Sequence, residues 1–175
     1  MSMRKVPGIL FFGGCFIALI SVSARAETVS YPEKNSLFSV EVPKGWQAKH
    51  ENGAITIAAE ANAVCLLQHV DNVKDEDTAK VAVAELANLE GKQFNLEGIK
   101  ITATGRPAQM GSFEGFMAEG RGTDRAGNDT RWKVMIFAAK DNDYYLVTCL
   151  WTSDDAEKTA ADRAEIFKSL KAAPN

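Results

Sequence analysis

The sequence predicts an α+β fold: an antiparallel sheet of about six to eight strands covered by two long helices. Three observations predict it. Apolar and polar side chains alternate in short runs bounded by turn formers, beginning with "FSVEVPKGWQAKHENGAITIAAE" at 38–60. Helical spacing of apolar residues occurs twice, from Thr78 to about Gln93 and near the C-terminus. The order is four strands, helix, four strands, helix, with tight turns inside each strand group, which favours antiparallel neighbours.

The first 26 residues read as an export leader. Arg4 and Lys5 precede an apolar run, Val6 to Val22, and Ser23-Ala24-Arg25-Ala26 supplies an A-x-A cleavage pattern. Pro7, Gly8, Gly13 and Gly14 interrupt the run and no stop-transfer flank follows it, which argues against a retained span. Phe12-Gly13-Gly14 lacks the leucine of a lipobox, which argues against lipid anchoring through Cys15. The division is therefore 1–26 signal peptide and 27–175 a single domain, located in the bacterial periplasm or secreted. Loss of Arg4, Lys5 and Arg25 takes the net charge from −3 to −6. An acidic chain is a poor match for nucleic acid or an anionic membrane, and no later segment is apolar enough to span.

In the opening stretch, Asn52-Gly53 is a two-residue hairpin signal. It places Glu51 opposite Ala54, Lys49 opposite Thr56 and Gln47 opposite Ala58. The alternate pairs are His50 with Ile55, Ala48 with Ile57 and Trp46 with Ala59. Closing the preceding turn at Pro43-Lys44-Gly45 would set Val42 against Trp46, Val40 against Ala48 and Phe38 against His50, keeping one face apolar across three strands. Trp46 then reads as core wall and His50 as a core-edge residue. Val64 to Val70 is a fourth strand. Asp75-Glu76-Asp77 favours a helix start. The helix presents Ala79, Ala82, Val83, Leu86 and Leu89 on one face, and Gly91 is a possible early end.

Gly98 to Arg106 alternates again, and Pro107 ends that strand or confines it to an edge. Phe113–Arg121, Arg131–Ala139 and Tyr144–Trp151 are three more strands. Trp132, Val134 and Ile136 lie on one face of the middle strand and Met135 and Phe137 on the other, which requires cover on both sides. A last helix starts at Thr152 or Ser153, with Asp154 and Asp155 in its first turn and Ala160, Ala164, Phe167 and Leu170 in one stripe.

Cys65 and Cys149 remain after the leader, both in strand-like runs. Two readings stand: a disulfide, worth about 4 kcal/mol for a loop of 84 residues, or two buried thiols acting as small hydrophobes.

With these elements in place the chain resembles the PsbP-like superfamily. The resemblance is carried by "FSVEVPKGW", the long mid-chain helix, the glycine-rich "GSFEGFMAEGRGT" and the closing "NDYYLVTCLWTSDDAE…FKSLK", and covers nearly all of 31–172. These motifs are packing signatures. The resemblance implies an α/β/α sandwich and a non-enzymatic accessory or scaffolding role, and it places no functional residue on this chain.

Motifs of chemistry are missing from the sequence: there is no G-x-S-x-G, phosphate loop, dinucleotide fingerprint, CxxC or HExxH. No catalytic residue, cofactor or metal is expected. The acids around Asp124, Asn128 and Asp129, and those at Asp141-Asn142-Asp143, lack the bidentate Glu of a calcium loop and read as turn formers. Arginine stands out. Four of the five left after the leader, Arg106, Arg121, Arg125 and Arg131, lie between 106 and 131. A turn centred on Ala126 sets Arg121 opposite Arg131, with Lys133 facing Glu119. One reading is a patch of Arg121, Arg125, Arg131 and Lys133 for an anion or acidic partner. The other is a solvated face neutralised by Glu119, Asp124 and Asp129. Trp132 and Trp151 either flank this surface or lie under the helices. The function expected is a non-enzymatic periplasmic interaction protein with a protein partner. The alternative is a carrier of small apolar ligands in a cleft between sheet and helix, and a hydrolase ranks third.

Overall fold

The structure, a computed structural model, describes residues 27–60, 62–140 and 143–173. Residues 1–26, the expected leader with Cys15, and Asp141 and Asn142 lie outside the described residues. In chain order the strands are β1 (Glu27–Tyr31), β2 (Phe38–Val42), β3 (Trp46–Glu51), β4 (Ala54–Ala59) and β5 (Ala63–His69). Helix α1 (Glu76–Gln93) follows, then β6 (Glu97–Met110), β7 (Phe113–Thr123), β8 (Asp129–Lys140) and β9 (Asp143–Thr152). A 3-10 turn (Ser153–Asp155), α2 (Ala160–Ser169) and β10 (Lys171–Ala172) close the chain.

Local turn chemistry sets the first hairpin. Asn52 and Gly53 take φ of 52° and 76°, as a type I′ turn requires. All six pairs expected between 46 and 59 are present in register. Seven strands form one antiparallel sheet in the order β3-β4-β5-β9-β8-β7-β6. The β5–β9 pairing joins its two meanders, and Cys65 sits opposite Cys149 at that seam with their sulfurs bonded. The long edge strand β6 carries Pro107 and three register irregularities. Proline tolerates an edge because no ladder hydrogen bond is needed there.

The stretch 38–42 departs from the expected pairing. It does not pair with β3; it forms a separate three-stranded sheet, β1-β2-β10, with Tyr31 opposite Phe38 and Val29 opposite Val40. Phe38, Val40 and Val42 are nevertheless at most 1% exposed, because the small sheet packs on the large one. The Tyr31 hydroxyl donates to the Gly53 carbonyl and ties the two sheets together. His50, expected at the edge of the core, is exposed, because the strand that would have covered it lies elsewhere.

The two faces of the large sheet bury separate cores. Trp132, Val134 and Ile136 pack with Ala79, Val83 and Ala87 of α1. Met135 and Phe137, on the other face, pack with Phe38, Val40 and the α2 residue Ile166. The architecture is thus helix, seven-stranded sheet, then a layer made of the small sheet and α2. Only α1 is long, at 18 residues; α2 has 10. Asp155 explains the short α2. Its carboxylate accepts from Lys158 Nζ (3.0 Å), Thr152 Oγ1 (3.1 Å) and Asn62 Nδ2 (3.3 Å), and these bonds, Lys158 first, hold its pKa down. The segment expected to open the helix serves this network instead. The stripe shifts with it: Ile166, Ser169 and Leu170 are buried, while Ala160 is exposed.

In α1 the buried face is Ala79, Val83, Ala87, Glu90 and Gly91, one step round from the stripe through Ala82 and Leu89. Gly91 does not end the helix. A Cβ there would lie 2.8 Å from the Trp132 ring, and one at Gly120 would lie 2.3 Å from it. The two glycines make room for the fully buried indole, whose Nε1 donates to the Ala87 carbonyl at 3.0 Å.

Candidate functional site

The β7–β8 hairpin is built by Asp124. Its carboxylate accepts from Ala126 N (2.8 Å), Asn128 N (2.9 Å) and Asn128 Nδ2 (2.8 Å), and Gly127 takes φ of 88°. The Asn128 side-chain bond leads the contacts that hold the Asp124 carboxyl below the usual carboxylate range. Asp124 is therefore committed to its own turn and makes no ion pair with the arginines among the described residues. The turn sets the register, and Arg121 lies directly opposite Arg131.

Alternation by two carries the same face down the hairpin. Glu119 sits opposite Lys133 and pairs with it at 3.1 Å. Arg131 Nε is 3.6 Å from Asp129 Oδ2, beyond hydrogen-bond length, and that oxygen already accepts from Ser153 Oγ. Arg121 makes no ion pair or side-chain hydrogen bond among the described residues. Arg125 is drawn away: its Nη2 donates to Asn95 Oδ1 at 3.2 Å, just beyond α1.

Arg121, Arg131 and Lys133 surround a pocket of about 280 Å³ whose other lining residues are Thr102, Glu119, Gly120, Trp132 and Trp151. Trp151 is opposite Arg131 on β9. The Arg163 guanidinium of α2 lies 3.9 Å above the Trp151 ring. Arg163 is positioned by bonds to Thr159 Oγ1 and to the Ala156 carbonyl (3.2 Å). The two tryptophans serve different layers: the Trp132 ring packs in the α1 core, although the residue also borders the pocket, and Trp151 packs on the face shared with α2. Arg163 was not legible as a site residue, because its place depends on how α2 packs and no local pattern marks it. Trp46 is buried, and its Nε1 donates to Asp162 Oδ2 of α2 at 2.9 Å.

Two further features lie on the α1 side. A cleft of about 700 Å³ opens between the start of α1 and the strands β6 to β9. Deeper in, Glu90 is 2% exposed. Gln68 Nε2 donates to its Oε1 at 2.9 Å, while Oε2 and the nearby Thr148 Oγ1 lack a well-formed hydrogen bond among the described residues. Burial pushes the Glu90 pKa up to about 7 against the opposing pull of Gln68 and Thr148.

No family model matches the sequence, and no curated protein matches it either. Solved structures do. The solution structure of cyanobacterial PsbP (CyanoP) from Synechocystis sp. PCC 6803 superposes with a TM-score of 0.57 at 11% identity, over 92% of this chain and 98% of that one. LpqN, involved in cell envelope biogenesis of Mycobacterium tuberculosis, gives 0.53 at 14% identity over 86% and 91%. A protein from Bacteroides thetaiotaomicron gives 0.54 at 10% identity over 86% of this chain and 49% of that one. The chain has the PsbP-like fold.

Proposed function

We propose that this chain is a non-enzymatic accessory protein, exported to the bacterial periplasm, that docks an acidic segment of a protein partner at the Arg121–Arg131 pocket. One observation carries the reading: two guanidinium groups stand directly opposite on one sheet face, and among the described residues only Arg131 has a carboxylate partner, Asp129 at 3.6 Å, while Arg121 has none. Like charges so placed cost a sheet some tenths of a kcal/mol, and a bound carboxylate would relieve that. The arginine fork suits carboxylates in particular. The Arg163–Trp151 stack sets a further guanidinium beside the pocket and adds an aromatic anchor of the kind interface centres favour, while Lys133 is paired with Glu119. A volume of about 280 Å³ falls below the roughly 300–1,000 Å³ of small-molecule sites, and suits a few side chains of a docked segment.

Export is supported by the leader pattern and by the Cys65–Cys149 bond, which persists in oxidising compartments. The involvement of LpqN in cell envelope biogenesis points the same way. Among the described residues no helix is long and apolar enough to cross a membrane.

The test is affinity capture from the native envelope with wild type and with Arg121→Glu/Arg131→Glu, read by mass spectrometry and followed by titration of a synthetic acidic peptide from the captured partner. The expected outcome is loss of partner and peptide from the variant, with a melting temperature within about 2 °C of wild type. Equal capture and equal peptide affinity would overturn the proposal.

A further inference from the structure

We infer that the cleft at the start of α1 binds a small protonated amine with an apolar body. The cleft lies on the α1 side of the sheet, away from the Arg121–Arg131 pocket, so the two proposals stand separately. About 700 Å³ lies inside the roughly 300–1,000 Å³ range of small-ligand sites. Phe116 and Tyr144, 7% and 6% exposed, line it together with Ala138 and Pro107 and give it an apolar wall.

Its charged lining is all of one sign. Asp75, Glu76 and Glu114 line the cleft, and among the described residues no Lys, Arg or His does. Asp75 caps α1 by accepting from Thr78 N at 2.7 Å, and the Thr78 bonds, its side chain first, hold the Asp75 carboxyl below the usual range. Asp75 therefore stays ionised. The helix end offsets only about half a charge, against three carboxylates.

Tyr144 supplies the second observation. Its ring is packed, yet its hydroxyl makes no hydrogen bond among the described residues although it lines the cleft. Burial first, then the charges of Asp75 and Glu76, raise its pKa, so the phenol stays neutral and offers a lone pair to an incoming N–H.

Chemistry narrows the occupant. An anion would meet three carboxylates. A neutral apolar molecule would displace water from the Tyr144 hydroxyl and give it no partner. A metal finds no group of three or more His, Cys, Asp or Glu able to hold it among the described residues. A protonated amine makes charge-assisted bonds to the acids, and its apolar body rests on Phe116 and Tyr144, where the aromatic faces also favour a cation.

The experiment titrates the full exported chain with phenethylamine, phenylethanol and phenylpropionate, followed by amide chemical shifts and calorimetry. Phenethylamine is expected to shift the amides around Tyr144, Phe116 and Glu76, and to bind about tenfold or more tightly than phenylethanol. Glu114→Gln, at an exposed position, and Tyr144→Phe should each weaken it several-fold, while Arg121→Glu should leave it unchanged. The inference is overturned if phenylethanol or phenylpropionate binds as well as the amine, if Glu114→Gln leaves amine affinity intact, or if phenethylamine at about 10 mM shifts no cleft amide.

Discussion

Glu90→Gln tests the buried carboxyl between α1 and the sheet. In the unfolded chain Glu90 titrates near 4.5, and in the fold near 7. Below pH 4.5 both states hold the proton and the group has no differential effect. As pH rises from 4.5 to 7, the unfolded chain releases its proton while the folded chain keeps it. Stability therefore falls through this window, at about 1.4 kcal/mol per pH unit, and levels off above pH 7. The total is about 3 kcal/mol. Gln keeps the shape and can still accept from Gln68 Nε2, and its own amide can donate to Thr148 Oγ1, which otherwise lacks a well-formed partner. The variant should match wild type within about 1 kcal/mol at pH 4.5 and exceed it by about 3 kcal/mol at pH 8. Urea unfolding at several pH values, followed by tryptophan fluorescence with the disulfide intact, reads the difference. The exposed acids with lowered pKa, such as Asp124, act equally in both proteins and cancel. A wild-type-to-variant difference that does not change between pH 4.5 and 8 would refute the reasoning.

Two other perturbations follow from the packing. Gly120→Ala would set a methyl 2.3 Å from the Trp132 ring, so the indole must move away from Ala87; a loss of roughly 1–3 kcal/mol and faster amide exchange in α1 are expected, measured by urea melts and hydrogen exchange. Replacing Cys65 and Cys149 together by Ala frees an 84-residue loop and should lower stability by about 4 kcal/mol, measured by denaturant unfolding against the oxidised wild type.

What the sequence could disclose followed the range of the forces involved. The 46–59 hairpin was readable to the residue because Asn52-Gly53 dictates its geometry locally. Pro43-Lys44-Gly45 offered no such constraint. A chain leaving β2 there can return as a hairpin or switch sheets, and Phe38, Val40 and Val42 are buried in either case, so their pattern did not discriminate. The short strand β1 was not expected at all: only Val29 and Tyr31 of its five residues are buried, and its partner is fixed by the second sheet. Glu90 escaped notice for a related reason. Helical periodicity locates the buried side of α1 only to within a step, and a carboxyl at that boundary reads as solvent-facing until the sheet is seen against it.

The Arg121–Arg131 pocket was half legible, and the legible half shows why it lies where it does. Along one face of β8 the side chains run Arg131, Lys133, Met135, Phe137. The last two are at most 2% exposed, while Lys133 is half-buried and Arg131 is exposed. On the other face Trp132, Val134 and Ile136 are buried throughout. A strand apolar along one whole face and only half of the other must lose its cover partway along that second face, and on β8 the buried core shared with the small sheet and α2 takes in Phe137 and Met135 only. The change from apolar to charged at alternate positions therefore marks the rim of a layer. A rim that exposes sheet surface beside a buried core is where cationic side chains, Trp151 and the α2 residue Arg163 can converge on one groove. Arg121 follows from the hairpin register alone; Trp151 and Arg163 need the third layer to be in place, so a local reading finds the arginine pair and misses the aromatic wall beside it.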